Sequence, residues 1–274
     1  MKLYTINAGY FKLDGGAMFG VVPKSIWQKL NPPDESNMCS WAMRCLLIED
    51  EGRLILVDNG MGNKQDDKFF SHYYLHGDDT LEKSLAKHGF TKDDITDVFL
   101  THLHFDHCGW NTVRRGDQVV ATFPNAKYYV QENEWKHGCL QLERDAISYM
   151  SPNYDPLLET GQMVLLNGDL ELLPGISVKV FPGHTANMQA VIIESGGKKA
   201  CYISDLIPTS AHLDLTWVMA FDLFPLQTIE SRKKYYGWAI PERWLTVFTH
   251  DDKTPWGYVA KGERGRLAVN RVER

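Results

Sequence analysis

Short runs of β-branched and aromatic residues recur along the chain and alternate with segments whose apolar residues return at helical spacing. This pattern predicts strands over 3–7, 41–49, 54–58, 95–100, 170–180, 189–194, 200–203 and 244–248. It predicts helices over 80–88, 132–149 and 231–239, and a closing hairpin that joins 258–260 to 267–269. No repeat or linker interrupts this alternation, so we expect a single domain over residues 1–274.

The segment 132–149 carries the strongest helical pattern. Its apolar stripe consists of Trp135, Cys139, Leu142, Ala146 and Tyr149. A stripe with this spacing is typical of a helix face that packs on a core, so we interpret it as core packing and not as a cofactor site.

Four of the strand-like runs are followed within four residues by a histidine or an aspartate. The run 95–100 leads into Thr101-His102-Leu103-His104-Phe105-Asp106-His107, and the later runs lead to His184, Asp205 and His250. Taken singly, each of the last three residues is more typical of a turn or a helix cap than of a ligand. Because strand ends can converge at one edge of a sheet, the repetition favours a shared site.

The first of these motifs places three imidazoles and a carboxylate within six residues. Neutral imidazole and carboxylate suit zinc, manganese or iron. His102 and His104 stand two apart and share one side of an extended segment, whereas Asp106 and His107 reach a neighbouring point only if the chain turns. The spacing therefore predicts two adjacent metal ions, and a polar histidine-rich loop is the alternative.

Composition narrows the possible functions. The chain has 274 residues, 43% of them hydrophobic, and a formal net charge of -6 without a long basic run, which argues against a nucleic-acid partner. No apolar stretch approaches 18 residues, so no membrane association is expected. Five cysteines without a CxxC pair favour the reducing cytoplasm. For Cys108, beside His107, a small buried thiol is favoured over a metal ligand.

The motifs THLHFDH, PGHT, SDL and FTHD, in this order, resemble the metallo-β-lactamase superfamily. The likeness extends from about residue 40 to about residue 252 and includes Leu56-Val57-Asp58-Asn59-Gly60. Within the superfamily, the stretch SDLIPTSAHLDLTWVMAFDLFP resembles the quorum-quenching lactonase branch, which opens N-acyl homoserine lactones. A sister branch with a similar site hydrolyses organophosphates and aryl esters.

The resemblance implies a four-layered αββα sandwich, of the α/β class or α+β in some schemes. It implies two divalent ions, with zinc expected first and manganese, iron or cobalt as alternatives. The implied ligands are His102, His104 and His184 for one ion, Asp106, His107 and His250 for the other, and Asp205 as the bridge. Asp58 is expected to accept a hydrogen bond from a ligand imidazole, and Asp106 also to act as the catalytic proton shuttle.

The implied activity is the opening of a lactone or ester by a hydroxide that the metals generate, with an N-acyl homoserine lactone as the expected small-molecule substrate. An arylesterase or an organophosphate triesterase is the alternative on the same site. An iron-dependent oxidoreductase such as a persulfide dioxygenase is the alternative from another class. A homodimer is left open.

The chain departs from the lactonase pattern at one position. Lactonases of this branch carry a tyrosine three residues after the bridging aspartate, where this chain has Pro208. Thr209 or His212 is the candidate replacement in the substrate pocket, or the metals alone polarise the substrate. Phe105 and Trp110, which flank the metal motif, are further candidates for the pocket.

Overall fold

The computed structural model describes residues 1–262 and 265–272 of the chain. Its contacts divide the chain into two compact units, each with its own sheet. The first unit contains Met1–Tyr10 and Met43–Leu170, and the second contains Phe11–Ala42 and the chain from Glu171 onwards. The single domain expected from the sequence stays a prediction.

The sheet of the first unit has six strands in the order β1-β2-β3-β4-β7-β8, and a separate hairpin is formed by β5 and β6. The strands are β1 (Lys2–Asp14), β2 (Met38–Asp50), β3 (Arg53–Val57), β4 (Asp97–Phe99), β5 (Thr112–Arg115), β6 (Gln118–Ala121), β7 (Lys127–Gln131) and β8 (Met163–Leu166).

Strands β3, β4, β7 and β8 pair in parallel, and the register sets Val57 beside Phe99. Parallel strands end at a common edge, so the residues that follow Val57 and Phe99 are brought together there. Leu56, Val57, Val98 and Phe99 have no exposed surface, as expected for a parallel sheet that is covered on both faces. This edge therefore sets Asp58 next to the segment that begins at Leu100.

The second unit has a seven-stranded sheet in the order β15-β14-β13-β12-β11-β10-β9. Its strands are β9 (Leu170–Leu173), β10 (Ile176–Val180), β11 (Gln189–Ser195), β12 (Lys198–Tyr202), β13 (Leu245–Val247), β14 (Trp256–Lys261) and β15 (Leu267–Arg271). Strands β12 and β13 are parallel, with Tyr202 beside Val247. Asp205 and His250, three residues beyond these positions, consequently leave the sheet at the same edge.

Eight α-helices connect these strands in the described residues. They are α1 (Gly15–Phe19), α2 (Lys24–Trp27), α3 (Asp67–Tyr73), α4 (Leu81–Lys87), α5 (Phe105–Cys108), α6 (Glu132–Leu140), α7 (Asp155–Glu159) and α8 (Pro225–Ala239). The mixed α/β class predicted from the sequence is confirmed. The longest of these helices, α8, has 15 residues, and none of the described helices has the length and hydropathy that crossing a membrane requires.

The helix predicted over 132–149 is wrong beyond Leu140. Gln141 adopts a left-handed conformation (φ 49°), and its side-chain amide donates to the carbonyl oxygens of Gly138 and Tyr149. The chain then folds back, and the Tyr149 ring lies where a Cβ on Gly138 would meet it at 2.8 Å. Of the predicted stripe, Cys139 and Leu142 are consequently exposed, whereas Tyr149 is buried.

Two hairpins join strands that were predicted from the sequence. Asp50 pairs with Arg53, and the intervening Glu51 and Gly52 both have positive φ, as a tight hairpin turn between β2 and β3 requires. The closing hairpin pairs β14 with β15. The predicted turn of this second hairpin includes Glu263 and Arg264, which lie outside the described residues.

Helix α8 buries a guanidinium group against the segment that follows β12. Arg232 is fully buried. Its Nε donates to the carbonyl oxygen of Leu206 at 2.7 Å, and its Nη1 donates to those of His212, Asp214 and Trp217. One side chain therefore donates to four backbone carbonyl oxygens of the segment 206–217, and the hydrogen bonds to Leu206 and His212 are buried away from water.

We expect Arg232→Met to lower the free energy of unfolding by about 3 kcal/mol, because it leaves the buried carbonyl oxygens of Leu206 and His212 without this donor. Denaturant unfolding followed by circular dichroism measures this difference. The neighbouring Lys233→Met, which removes an exposed side chain paired with Glu230, is the control and should change stability by less than about 0.5 kcal/mol. Equal losses in the two variants would contradict the role given to Arg232.

Candidate metal centre

The first ligand cluster comprises His102, His104, Asp106 and His107, at the parallel edge of the first unit. The ring centroid of His102 lies 4.5 Å from that of His104 and 4.1 Å from that of His107. The amide of His107 donates to the carbonyl oxygen of His104 at 3.0 Å, which begins the short helix α5 and turns Asp106 and His107 toward the same region. Ligand atoms of His102 lie within 4.8 Å of those of His104 and His107.

Asp58 fixes the orientation of this cluster. Its Oδ2 accepts hydrogen bonds from His107 Nδ1 at 2.9 Å and from the Thr101 hydroxyl at 2.8 Å, and its Oδ1 accepts from the Thr101 amide. Since the Thr101 proton points to Asp58, the contact of 3.0 Å between Thr101 Oγ1 and His102 Nδ1 is donated by the imidazole. Both rings therefore carry their proton on Nδ1 and present Nε2 as the ligand atom.

The loop that follows β3 contacts the residues directly after the first cluster. The amide of Gly109 donates to the carbonyl oxygen of Gly60 at 2.7 Å, and a Cβ on Gly109 would lie 1.9 Å from the carbonyl oxygen of Met61. Lys64 Nζ donates to the carbonyl oxygens of Gly109 and Thr112. Burial lowers the pKa of this lysine to about 8. Only glycine at position 109 allows the two segments to approach this closely.

The second ligand cluster comprises His184, Asp205 and His250, all in the second unit. Asp205 Oδ2 lies 3.2 Å from His184 Nε2, and Asp205 Oδ1 lies 3.1 Å from His250 Nε2. All three side chains are buried. One carboxylate thus directs each of its oxygens toward a different imidazole, which is the arrangement of a ligand that bridges two cations.

The imidazoles of the second cluster are held in the same tautomer as His102 and His107. His184 Nδ1 donates to Asp222 Oδ1 at 3.0 Å, and His250 Nδ1 donates to the carbonyl oxygen of Ala42 at 2.8 Å. In both rings the Nε2 atom faces Asp205 and is available as a ligand. Sequence reasoning did not find Asp222, whose only signal is an isolated carboxylate in the aromatic-rich run after Trp217.

The backbone is strained next to each ligand cluster. Asp58 (φ 56°), which contacts the first cluster, and Ser204 (φ 51°), which directly precedes Asp205 of the second, both adopt the left-handed region that non-glycine residues avoid. Each such residue costs about 1–3 kcal/mol and persists where the surroundings determine it, as they commonly do at functional sites.

The four residues predicted for the substrate pocket lie in different environments. Phe105 packs against helix α3, and Trp110 is half-buried. His212 is fully buried, donates through Nε2 to the carbonyl oxygen of Met18 and accepts through Nδ1 from Thr209. Burial lowers the pKa of His212 to about 3, so the ring stays neutral. The pocket role of Thr209 and His212 stays a prediction, against which these contacts count.

Cys108 has the environment of a buried thiol. Its Sγ donates to the carbonyl oxygen of Leu103 at 3.3 Å, and burial raises its pKa above the ordinary value of a thiol. A protonated thiol is a poor metal ligand. These contacts favour the interpretation that was preferred from the sequence.

Comparison with known proteins supplies the context for this geometry. The family model described as the metallo-beta-lactamase superfamily matches residues 44–257. The N-acyl homoserine lactonase AiiA of Bacillus thuringiensis subsp. kurstaki is 29% identical over 204 residues, which cover 71% of this chain and 70% of that protein. An N-acyl homoserine lactonase of Bacillus cereus is 26% identical over the same length.

Two solved structures extend the likeness over nearly the whole chain. A probable metal-dependent hydrolase from Staphylococcus aureus has a TM-score of 0.88 and 29% identity, covering 100% of this chain and 98% of that one. AidC, a dizinc quorum-quenching lactonase, has a TM-score of 0.80 and 22% identity, covering 99% and 94%. At that identity the likeness to AidC shows a shared fold alone.

We expect Asp222→Ala to weaken metal binding by about tenfold to a hundredfold, because the Nδ1 proton of His184 loses the acceptor that orients the ring. Competition with a chromophoric zinc chelator measures the affinity. Asp214→Ala, which removes an exposed carboxylate from the same stretch, is the matched control and should leave the affinity unchanged. If both variants bind zinc as tightly as the unaltered chain, Asp222 does not orient a ligand.

Proposed function

The chain belongs to the metallo-beta-lactamase superfamily, and from that premise we propose that it opens the ring of N-acyl homoserine lactones at a dinuclear metal site. It is a hydrolase of this superfamily, and the metallo-β-lactamase fold predicted from the sequence is confirmed. The observation that supports the dinuclear proposal most directly is the Asp205 carboxylate, with one oxygen on each of two imidazoles.

We propose that both ligand clusters bind the same pair of ions. His102, His104 and His184 would hold one ion, Asp106, His107 and His250 the other, and Asp205 would lie between them. The donor set of imidazole nitrogen and carboxylate oxygen fits zinc, with manganese, iron and cobalt as alternatives. Four of the five imidazoles have their Nδ1 committed to an acceptor, which leaves Nε2 for a cation.

The chemistry of the reaction divides between the ions and the side chains. Bound divalent ions supply the acidity that makes water nucleophilic near neutral pH and the positive charge that polarises a carbonyl group. Asp106, the least buried side chain of the first cluster, would take up the proton that the attacking water loses and pass it to the oxygen that leaves when the lactone C–O bond breaks. Asp58 and Asp222 keep the ligand rings oriented throughout.

The lactone substrate is supported by the relatives and by the surroundings of His184. The relatives that carry the name N-acyl homoserine lactonase favour a hydrolase over an iron-dependent oxidoreductase. The amide of Phe224 donates to the carbonyl oxygen of Gly183, and that of Leu223 donates to the carbonyl oxygen of His184. Phe221 and Phe224, 38% and 40% exposed, thereby lie on the segment that is paired with this ligand and offer apolar surface for an acyl chain.

We expect elemental analysis of the intact protein to approach two divalent ions per chain. Asp205→Ala should lose metal together with activity, because it removes the anionic oxygens that face both imidazoles. Asp117→Ala, an exposed carboxylate on the loop between β5 and β6, should keep both. A fully active form with a single ion would rule out the dinuclear proposal.

The substrate is tested with homoserine lactones of increasing acyl length, followed by proton release at neutral pH. Each buried methylene contributes about 0.8 kcal/mol, so two extra carbons should raise kcat/KM about tenfold while apolar surface remains to be covered. Aryl esters and an aryl phosphotriester are measured in parallel. Turnover of these compounds without any ring opening, with both metals bound, would replace the lactonase proposal by the arylesterase or organophosphate triesterase alternative.

A further inference from the structure

The first turn of helix α6 lies beside the backbone that carries two ligands of the first cluster. Strands β4 and β7 are parallel, with Phe99 beside Tyr129, and the amide of Leu100 donates to the carbonyl oxygen of Tyr129 at 2.9 Å. Both strands therefore end at one edge of the sheet, from which β4 continues into the ligand segment and β7 into α6. Glu134, in the first turn of α6, is brought next to that segment in this way.

The Glu134 side chain binds the backbone between two of the ligands. It is fully buried, and its Oε1 accepts a hydrogen bond from the amide of Leu103 at 3.3 Å. Leu103 has no exposed surface and stands between His102 and His104 in the chain. Because a carboxyl group is costly to bury unless it is hydrogen-bonded, its contacts indicate what holds it in the interior. This contact fixes the peptide group that follows His102 and precedes the backbone of His104.

The same carboxyl oxygen also holds Tyr149. The Tyr149 hydroxyl donates to Glu134 Oε1 at 2.8 Å. The Tyr149 ring meets the His104 ring edge to face, with centroids 4.9 Å apart and planes at 74°, and the backbones of these two residues pair in an isolated antiparallel bridge. Glu134 thus connects the backbone before His104 with the phenol ring that packs on its imidazole. All these residues belong to the first unit.

The ring of a metal ligand must keep both its backbone position and its rotation about the side-chain bonds. Four imidazoles of the two clusters are oriented by a hydrogen bond at Nδ1. His104 has a contact of another kind, the packed ring of Tyr149. Packing against a phenol limits rotation of the imidazole, and the hydrogen bond to Glu134 limits movement of the phenol.

We propose that Glu134 is a positioning residue of the metal centre, which fixes His104 through the Leu103 amide and the Tyr149 hydroxyl. The inference rests on the proposed function as far as metal binding is concerned, and the identity of the substrate does not enter it. Loss of the two hydrogen bonds lets the His104 ring turn and weakens the ion for which this imidazole is a proposed ligand.

The effect should fall on one ion more than on the other. His107, a proposed ligand of the second ion, is oriented by Asp58, which makes no use of Glu134. A substitution at Glu134 should therefore spare this second ion, whereas a general loss of stability would weaken both.

The test compares Glu134→Met with the matched control Glu132→Met. Methionine has a side chain of similar length and removes the acceptor. Glu132 lies in the same helical turn, is partly exposed and pairs with Lys136. The stepwise affinity for zinc is measured by competition with a chromophoric chelator. Glu134→Met should weaken one of two zinc ions about tenfold to a hundredfold and the other less than about threefold. Glu132→Met should match the unaltered protein for both ions.

Two further variants separate positioning from general stability. Glu134→Gln keeps a side-chain oxygen that accepts both hydrogen bonds, so its zinc affinity should return to within about threefold of the unaltered protein. Tyr149→Phe keeps the ring on His104 but removes one hydrogen bond, and it should weaken the same ion about threefold to tenfold. In the double variant with Glu134→Met, the loss should be at least about threefold smaller than the product of the single losses, because both substitutions break the same hydrogen bond.

The outcomes separate this inference from the proposed function. Unchanged affinity for both ions in Glu134→Met, with a circular dichroism spectrum like that of the unaltered protein, would overturn the role of Glu134 and leave the proposed function standing. Equal weakening of both ions that Glu134→Gln does not restore would overturn it as well. If Glu134→Met does not fold, Tyr149→Phe decides, and unchanged zinc affinity in that variant contradicts the inference.

The remaining outcomes concern the metal centre itself. If the unaltered protein binds one zinc ion, the dinuclear proposal fails and the same loss in Glu134→Met is expected for that ion, so an unchanged affinity overturns the inference too. A protein that binds no zinc overturns both. Lactone turnover is not part of the measurement, so failure of the lactonase proposal leaves the role of Glu134 intact.

Discussion

Both ligand clusters depend on holding buried imidazoles in one tautomer. A neutral imidazole has two ring nitrogens, and it can offer Nε2 to a cation only while its Nδ1 proton has an acceptor. Those acceptors are the Asp58 carboxylate for His107, the Thr101 hydroxyl for His102, the Asp222 carboxylate for His184 and the Ala42 carbonyl oxygen for His250. Without them, the buried rings would pay the cost of unsatisfied polar atoms and lose their orientation.

The two sheets meet this need by the same device. In the first unit, the parallel pair β3 and β4 ends at a common edge, which sets Asp58 beside Thr101. In the second unit, the parallel pair β12 and β13 does the same for Asp205 and His250. Hydrogen-bonded parallel strands hold both ends in register, so the polar side chains are fixed by backbone that is itself buried and rigid.

This arrangement requires strained backbone conformations and a close contact between two backbone segments. Asp58 and Ser204 adopt left-handed conformations next to the groups they position, and Gly109 allows the turn of the first cluster to touch the loop after β3. Hydrogen bonds elsewhere offset the cost, most visibly the four carbonyl oxygens that Arg232 holds in the segment after Asp205. The strained conformations occur next to the ligand clusters because an unstrained turn would direct the side chains of these segments elsewhere.

The sequence by itself determined the strands that lead into the ligand-type residues and the identity of those residues, whereas β5, β6, β7 and β8 were not predicted. These are consequences of local patterns: β-branched runs predict strands, and the spacing of His102, His104, Asp106 and His107 predicts a turn that presents two ligand pairs. Tertiary structure decided what depends on distant contacts. The helix after Glu132 stops at Leu140 because Gln141 and Tyr149 fold back on Gly138. Asp222 could not be predicted for the same reason. Its hydrogen bond to His184 spans 38 residues, and no local sequence pattern indicates which distant carboxylate a buried imidazole will contact.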